Sequence, residues 1–329
     1  MKSVSLKLSA VLMAAVLGAV SGAPASAAPG PGADPGPSPG RPGKAHDVSV
    51  EAQNKALIAQ LSGALLRSSV GVHDLAPYFA PHMIAHDPSM TNGRAGMLVA
   101  IDQLRRSLPG HTLTVKHILA DGDLVMVHSH LSNTPADEKS GLNRLDTYRI
   151  DRGVIVEHWA ARANVLNWSS SGNSPFSDLY VYAGAKPVIS RERVETNRLL
   201  VKALSEEVFG KQNFGLLDRF WSVGYLQHNP YVGNGRAQLA GALPFISSPG
   251  SQYRVVHALA DGDLTAVCAH ALAPGANPAD EFAGVYVCDL YRVANLELVE
   301  HWDIVQQVPS TTASANSMVS KLYQDHERR

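Results

Sequence analysis

"IVEHWA" occupies positions 155–160 and "LVEHWD" positions 298–303, and only the second copy ends on a carboxylate. His158 and His301 stand 143 positions apart, and the same shift carries Asp146 onto Asp289, Asn54 onto Asn197 and Asn173 onto Asn316. Further in, "HILADGDLVMVHSH" from His117 meets "HALADGDLTAVCAH" from His257 at a shift of 140, and "IAHDPSMTNGR" from Ile84 meets "LQHNPYVGNGR" from Leu226 at 142. Small changes of shift are loop insertions and deletions. A period this long is a whole domain rather than a solenoid repeat, so the chain reads as two homologous domains.

Length agrees: 329 residues suit two domains, and 45% hydrophobic with 17% charged residues lets each half bury a core. The formal net charge is −1 and no basic stripe is present, which argues against nucleic acid and anionic membrane surfaces as partners. At the N-terminus, Lys2 and Lys7 precede an apolar run from Leu8 to Val20 and the small residues "SGAPASAA". This predicts a signal peptide over 1–27 and a secreted or extracytoplasmic protein, the run being too short for a membrane span. In "APGPGADPGPSPGRPG" from Ala28, Pro and Gly fill eleven of sixteen positions, which predicts a disordered leader over 28–45. The domains then run 46–182 and 183–329. Two cysteines, Cys268 and Cys288, fall in the second; a disulfide and two buried free thiols are both compatible with their spacing.

Each copy opens with helical spacing, in "EAQNKALIAQLSGALL" and "RVETNRLLVKALSEEVF". A short helical piece leads to a His-Asp/Asn-Pro segment, where Pro88 and Pro230 disfavour helix at the preceding residue. A further short helix follows, then two hairpins per copy, turning at Asp121-Gly122 and Arg152-Gly153, and at Asp261-Gly262 and near Asn295. Helices first and about four antiparallel strands after them define an α+β fold with helices on one face of a sheet.

The segments "YLQHNPYVGNG", "ALADGDLTAVCAH", "VYVCDLYRVANLELVEHWDIVQQVP" and "SANSMV" make the second half resemble the SnoaL-like polyketide cyclase family of the nuclear transport factor two-like fold. The first half resembles it more loosely, through "IAHDPSMTNGR", "ILADGDLVMVHSH" and "LDTYRIDRGVIVEHW". The resemblance implies two tandem cone-shaped domains, each with a pocket between N-terminal helices and a curved sheet. It also implies that Asp303 is the position of the family's acid–base aspartate. Fold alone does not fix the reaction.

Alternation along strands puts Val299, His301 and Asp303 on one face and Leu298, Glu300 and Trp302 on the other, with Asp289 and Tyr291 sharing a face on the preceding strand. The expected catalytic set is therefore Asp303, His301, His228 and Asp289, with Tyr291 and His270 lining the same pocket. In the first copy His86, Asp146 and His158 are the candidate lining residues. Ala160 in place of the aspartate denies that copy the same reaction. A carboxylate in an apolar pocket has its pKa raised toward working pH, and a nearby histidine can donate to a developing enolate. The expectation is cofactor-independent aldol cyclisation or isomerisation of a small carbonyl compound, or, as the alternative, sequestration of an apolar small molecule without turnover. His128 and His130 share a strand face in a spacing that can hold a metal, but Cys268 breaks the pattern in the second copy, so no metal is assigned. Glu157 and Glu300 are read as facing solvent or the other domain. Because related domains pair sheet against sheet, the two copies are expected to form an intrachain pseudo-dimer, with Ile155, Trp159, Leu298 and Trp302 on the buried outer faces.

Overall fold

A computed structural model describes residues 48–323. The expected signal peptide and the leader lie outside these residues. The first domain runs α1 (Val48–Ala64), a short 3-10 turn (Val72–Tyr78), β1 (Phe79–Ala85), α2 (Gly93–Ser107), β2 (Thr112–Asp121), β3 (Leu124–Ser132), β4 (Leu142–Asp151) and β5 (Val154–Asn164). The second repeats the order: α3 (Arg191–Ser205), a π turn (Glu206–Gly210), short helical turns from Phe214 to Phe220, β6 (Trp221–Gln227), α4 (Arg236–Ile246), β7 (Gln252–Asp261), β8 (Leu264–Leu272), β9 (Val285–Ala294) and β10 (Glu297–Gln307).

Each domain holds a five-stranded sheet, ordered β1-β5-β4-β3-β2 and β6-β10-β9-β8-β7. The fifth strand, absent from the sequence reading, is the short segment before the His-Asp/Asn-Pro motif; it pairs parallel with the last strand of its own domain. Two-residue turns join the hairpins. Arg152 and Gly153 have φ of 49° and 78°, and Asn295 and Leu296 have 52° and 67°, the left-handed pairs that match the twist of a tight hairpin.

A β-bulge interrupts the last strand of each copy, between Leu298 and Glu300 in β10 and between Ile155 and Glu157 across β5. The extra residue reverses the alternation there. Leu298 and Ile155 therefore pack inward, in the separate cores beneath the helices, rather than on the outer faces where strict alternation placed them. Trp159 and Trp302, beyond the bulge, do point outward.

The outer faces meet in a shared apolar layer, in which Leu119, Met126, Leu145 and Ala161 of the first domain pack with Leu259, Tyr286, Trp302 and Ile304 of the second. Cys268 and Cys288 stand opposite each other on β8 and β9 in this layer and are joined as a disulfide. Reciprocal bonds cross it: Ala120 N–H donates to Asp261 at 3.1 Å and Ala260 N–H donates to Asp121 at 3.0 Å.

The segments that follow β5 and β10 are exchanged. After β5 the chain crosses to the second domain, where Trp302 Nε1–H donates to Ser177 O at 3.0 Å and the Leu179 N–H donates to Glu300 at 2.6 Å. After β10 it crosses back, and Trp159 Nε1–H donates to Ser320 O at 2.9 Å while Leu322 N–H donates to Glu157 at 2.8 Å. Ser177 and Ser320, like Leu179 and Leu322, are 143 positions apart, so the two arms are copies of one segment.

Candidate functional site on the inner face of the second sheet

On β9, Val287, Asp289, Tyr291 and Val293 point toward the helices, while Tyr286, Cys288 and Leu290 lie in the layer between the domains. Antiparallel pairing sets Asp303 opposite Asp289 and His301 opposite Tyr291. One ring nitrogen of His301, Nε2, lies 2.9 Å from Asp289 Oδ1, and the other, Nδ1, lies 2.7 Å from Gln227 Oε1. Asn229 Nδ2 donates to Asp303 Oδ2 at 2.6 Å. The Tyr291 ring sits 4.8 Å from the His301 ring, and Tyr225 flanks it at 6.1 Å. Along the same face of β10 exposure rises from buried His301 through half-buried Asp303 to exposed Val305, which marks the open end of the site.

The electrostatics follow from burial and neighbours. Burial raises the Asp303 carboxyl above the ordinary carboxylate range; the Asp289 charge adds to this and His301 opposes it. Burial alone would lower His301, but its hydrogen bond to Asp289 and the charges of Asp303 and Asp289 hold it above the usual imidazole value. With acceptors at both nitrogens, His301 is placed as an imidazolium. Asp289, His301 and Asp303 bring ligand atoms within 4.8 Å of one another, a set that a divalent metal can use, although a metal would first have to displace the proton between His301 and Asp289. Four buried polar atoms near it make no hydrogen bond of good geometry among the described residues: Asp289 Oδ2, Tyr253 Oη, Thr265 Oγ1 and Trp221 Nε1, with the Tyr253 hydroxyl beside Asp289 and the Trp221 indole beside Tyr225. Tyr253 also lines a surface pocket of about 350 Å³ beside the π turn, with Glu206, Glu207 and Lys211.

Asp289, His301, Asp303 and Tyr291 thus come together as expected. His228 does not join them. Its Nε2 lies 3.0 Å from Glu300 and its ring stacks on Trp302 at 5.0 Å, on the outer face, where Nδ1 meets the first arm at Ser174 O. It follows the end of β6, so its side chain falls on the opposite face from Gln227. His86 does the same in the first domain, stacked on Trp159 at 4.8 Å with Glu157 and Ser317 O as partners. His270 is also displaced from the pocket: it shares the outer face of β8 with Cys268 and bonds to Ala283 O at 2.8 Å. Glu157 and Glu300 face the exchanged arms, not solvent, and are fully buried. His128 and His130 lie on the outer face under Phe176, His128 with Nδ1 2.9 Å from His117 and Nε2 2.7 Å from Asn143.

In the first domain Asp146 and His158 hold the matched positions, with His158 Nε2 2.8 Å from Asp146. Arg144 changes their chemistry. It donates through Nε and Nη2 to Asp146 at 2.6 and 2.7 Å. Although burial would raise Asp146, this guanidinium holds it well below the ordinary range. Sequence reading did not single out Arg144, nor Gln227, Asn229, Tyr225 and Tyr253 in the second domain. Comparing the copies position by position gives the signal for Arg144: "NRLD" ending at Asp146 faces "YVCD" ending at Asp289.

A family model described as a SnoaL-like domain matches residues 69–158, within the first domain. This is the copy whose motifs resemble that family more loosely. The solved structures found each align with about a third of the chain. A loop-truncation variant of IdmH is 27% identical, covering 33% of this chain and 91% of its own, with a TM-score of 0.30; wild-type IdmH, from Streptomyces antibioticus, is described as a candidate polyketide cyclase. A candidate isomerase of the SnoaL-like family from Agrobacterium tumefaciens is 17% identical, covering 34% and 98%, with a TM-score of 0.31. An NTF2-like protein from Mesorhizobium loti is 16% identical, covering 36% and 96%, with a TM-score of 0.31. Comparison with curated proteins gives no match.

Proposed function

We propose that the second domain performs acid–base chemistry on a small carbonyl compound, an aldol-type ring closure or an isomerisation, without a cofactor. The observation that carries this reading is Asp303: a carboxylate raised by burial, hydrogen-bonded to Asn229, at the open end of the inner face and beside the His301–Asp289 pair. Asp303 takes a proton from carbon next to the carbonyl, and the imidazolium of His301, whose two N–H groups are held by Gln227 and Asp289, stabilises the developing enolate through its charge. Tyr291 and Tyr225 form the aromatic wall.

The first domain supports the second. Arg144 neutralises Asp146, Arg162 stands beside Asp87, and Ala160 leaves no carboxylate at the Asp303 position, so this copy has no free base of the same kind. The division at residues 182 and 183, the secretion of the chain and its operation as an intrachain pseudo-dimer belong to the same reading. The shared apolar layer and the exchanged arms support the pairing. Asp303→Asn is the test against a pocket that only sequesters its ligand. Loss of turnover of the wild-type substrate with ligand binding retained supports catalysis, whereas a wild-type protein that binds small ketones and turns none over supports sequestration.

A further inference from the structure

The two inner faces differ in charge at matched positions. In the first domain Arg144 lies bidentate on Asp146, and Arg162 stands 3.8 Å from Asp87. In the second, Val287 and Val305 take the two arginine positions, Asn229 replaces Asp87, and Asp303 replaces Ala160. Each set has one histidine on its aspartate, His158 and His301; beyond these, the first set holds two arginines against two aspartates, and the second holds two aspartates with no arginine. The difference has a geometric counterpart: both oxygens of Asp146 receive guanidinium donors, whereas Asp289 Oδ2 is buried and receives none, the neutral Tyr253 hydroxyl being the donor group beside Asp289.

Buried carboxylates are costly without a compensating cation or hydrogen bond. In one copy the protein supplies that cation itself. We infer that in the second copy the ligand supplies it, so that this pocket selects molecules carrying a protonated amine, seated where the Arg144 guanidinium lies in the first. The ammonium donates to Asp289 Oδ2 and shares Asp303. Carboxylates are rejected by the same two aspartates. This names the substrate class of the site proposed above, a carbonyl compound that also carries an amine, and it rests on that site being a ligand pocket.

The experiment is calorimetric titration of the whole protein at neutral pH with benzylamine, benzyl alcohol and benzoate, which share one ring and differ in charge. Benzylamine should bind about tenfold or more tighter than benzyl alcohol, as expected for one charge-assisted bond to a buried carboxylate, and benzoate more weakly than either. Val287→Arg, which restores the first domain's cation, should abolish the preference; Asp289→Asn should do the same and serves if the arginine variant does not fold. Equal binding of amine and alcohol, or a preference that survives both substitutions, overturns the inference. Either result leaves the acid–base reading to its own test, because loss of turnover of a neutral ketone in Asp303→Asn does not depend on amine selection.

Discussion

Asp303 faces Asp289 directly across the β9–β10 ladder, where the first domain sets Ala160 against Asp146. Like charges directly opposed on one sheet face destabilise it, and the raised pKa of Asp303 reflects burial first, with the Asp289 charge adding to it. A folded pKa above the ordinary 3.8 means that the protonated form is favoured in the native state. The associated stability is complete below that ordinary value and is lost as pH rises through the folded one. Asp303→Asn keeps an oxygen for Asn229 and removes the charge. It should raise stability by ~1 kcal/mol at neutral pH, and the gain over wild type should shrink as pH falls. Denaturant titrations at several pH values measure both.

Histidines between the domains predict acid lability. His257 stands edge-on to Trp159 at 4.3 Å with neither ring nitrogen hydrogen-bonded among the described residues. Burial holds it well below the ordinary 6.5, and nearby Lys321 and Arg149 add to this. Burial likewise lowers His128, with His117 beside it. For a depressed histidine the stability is complete above the unfolded value and is lost as pH falls toward the folded one, so the loss begins near 6.5. His257→Phe removes two orphaned polar atoms while keeping the aromatic contact. It should add ~1 kcal/mol at neutral pH and more in mild acid. Melting temperatures of the two proteins from neutral pH downward decide the matter; a variant less stable than wild type throughout would contradict it.

The repeat was legible because whole motifs recur in order, and the hairpins because Gly122, Gly153 and Gly262 take left-handed turns. The arrangement on the faces was only half legible. A single extra residue at Val156 or Val299 turns Ile155 and Leu298 inward, and nothing in the local residue types marks the bulge. β1 and β6 escaped because their partner strands lie more than 70 residues away and no turn signal links them. The exchange of arms has no signature in periodicity at all: "SGNSPF" and "SANSMV" reveal a repeat, but not which domain each one covers. His86 and His228 were drawn to the pocket for a related reason: each ring lies on the outer face against its own last strand, and its Nδ1 partner, Ser317 O or Ser174 O, belongs to an arm.

The arms depend on two buried glutamates. Glu157 accepts from the Leu322 and Tyr323 N–H groups and faces His86 and Arg149; Glu300 accepts from the Leu179 and Tyr180 N–H groups and faces His228 and Arg292. Replacing either by alanine leaves two arm N–H donors and a buried histidine without their acceptor, while Arg149 keeps Asp123 and Arg292 keeps Asp263, and should cost ~3 kcal/mol. Asp102→Ala, which removes an exposed helical pair with Arg106, should change stability by less than about 0.5 kcal/mol. Urea unfolding of the three variants checks the contrast, and a Glu300→Ala protein as stable as wild type would show that the arm is not held in this way.

Acid–base chemistry at Asp303 is measured most directly by exchange of the hydrogens next to the carbonyl in a panel of small ketones, some bearing an amine, followed by NMR in deuterated buffer. Wild-type protein should accelerate exchange of at least one member. The rate should rise as pH passes the raised pKa of Asp303 and fall again as it passes that of His301, since the base must be ionised and the imidazolium protonated. Asp303→Asn should lose the acceleration while still binding the ketone, and Asp146→Asn in the first domain should retain it. Undiminished exchange in Asp303→Asn would contradict the account.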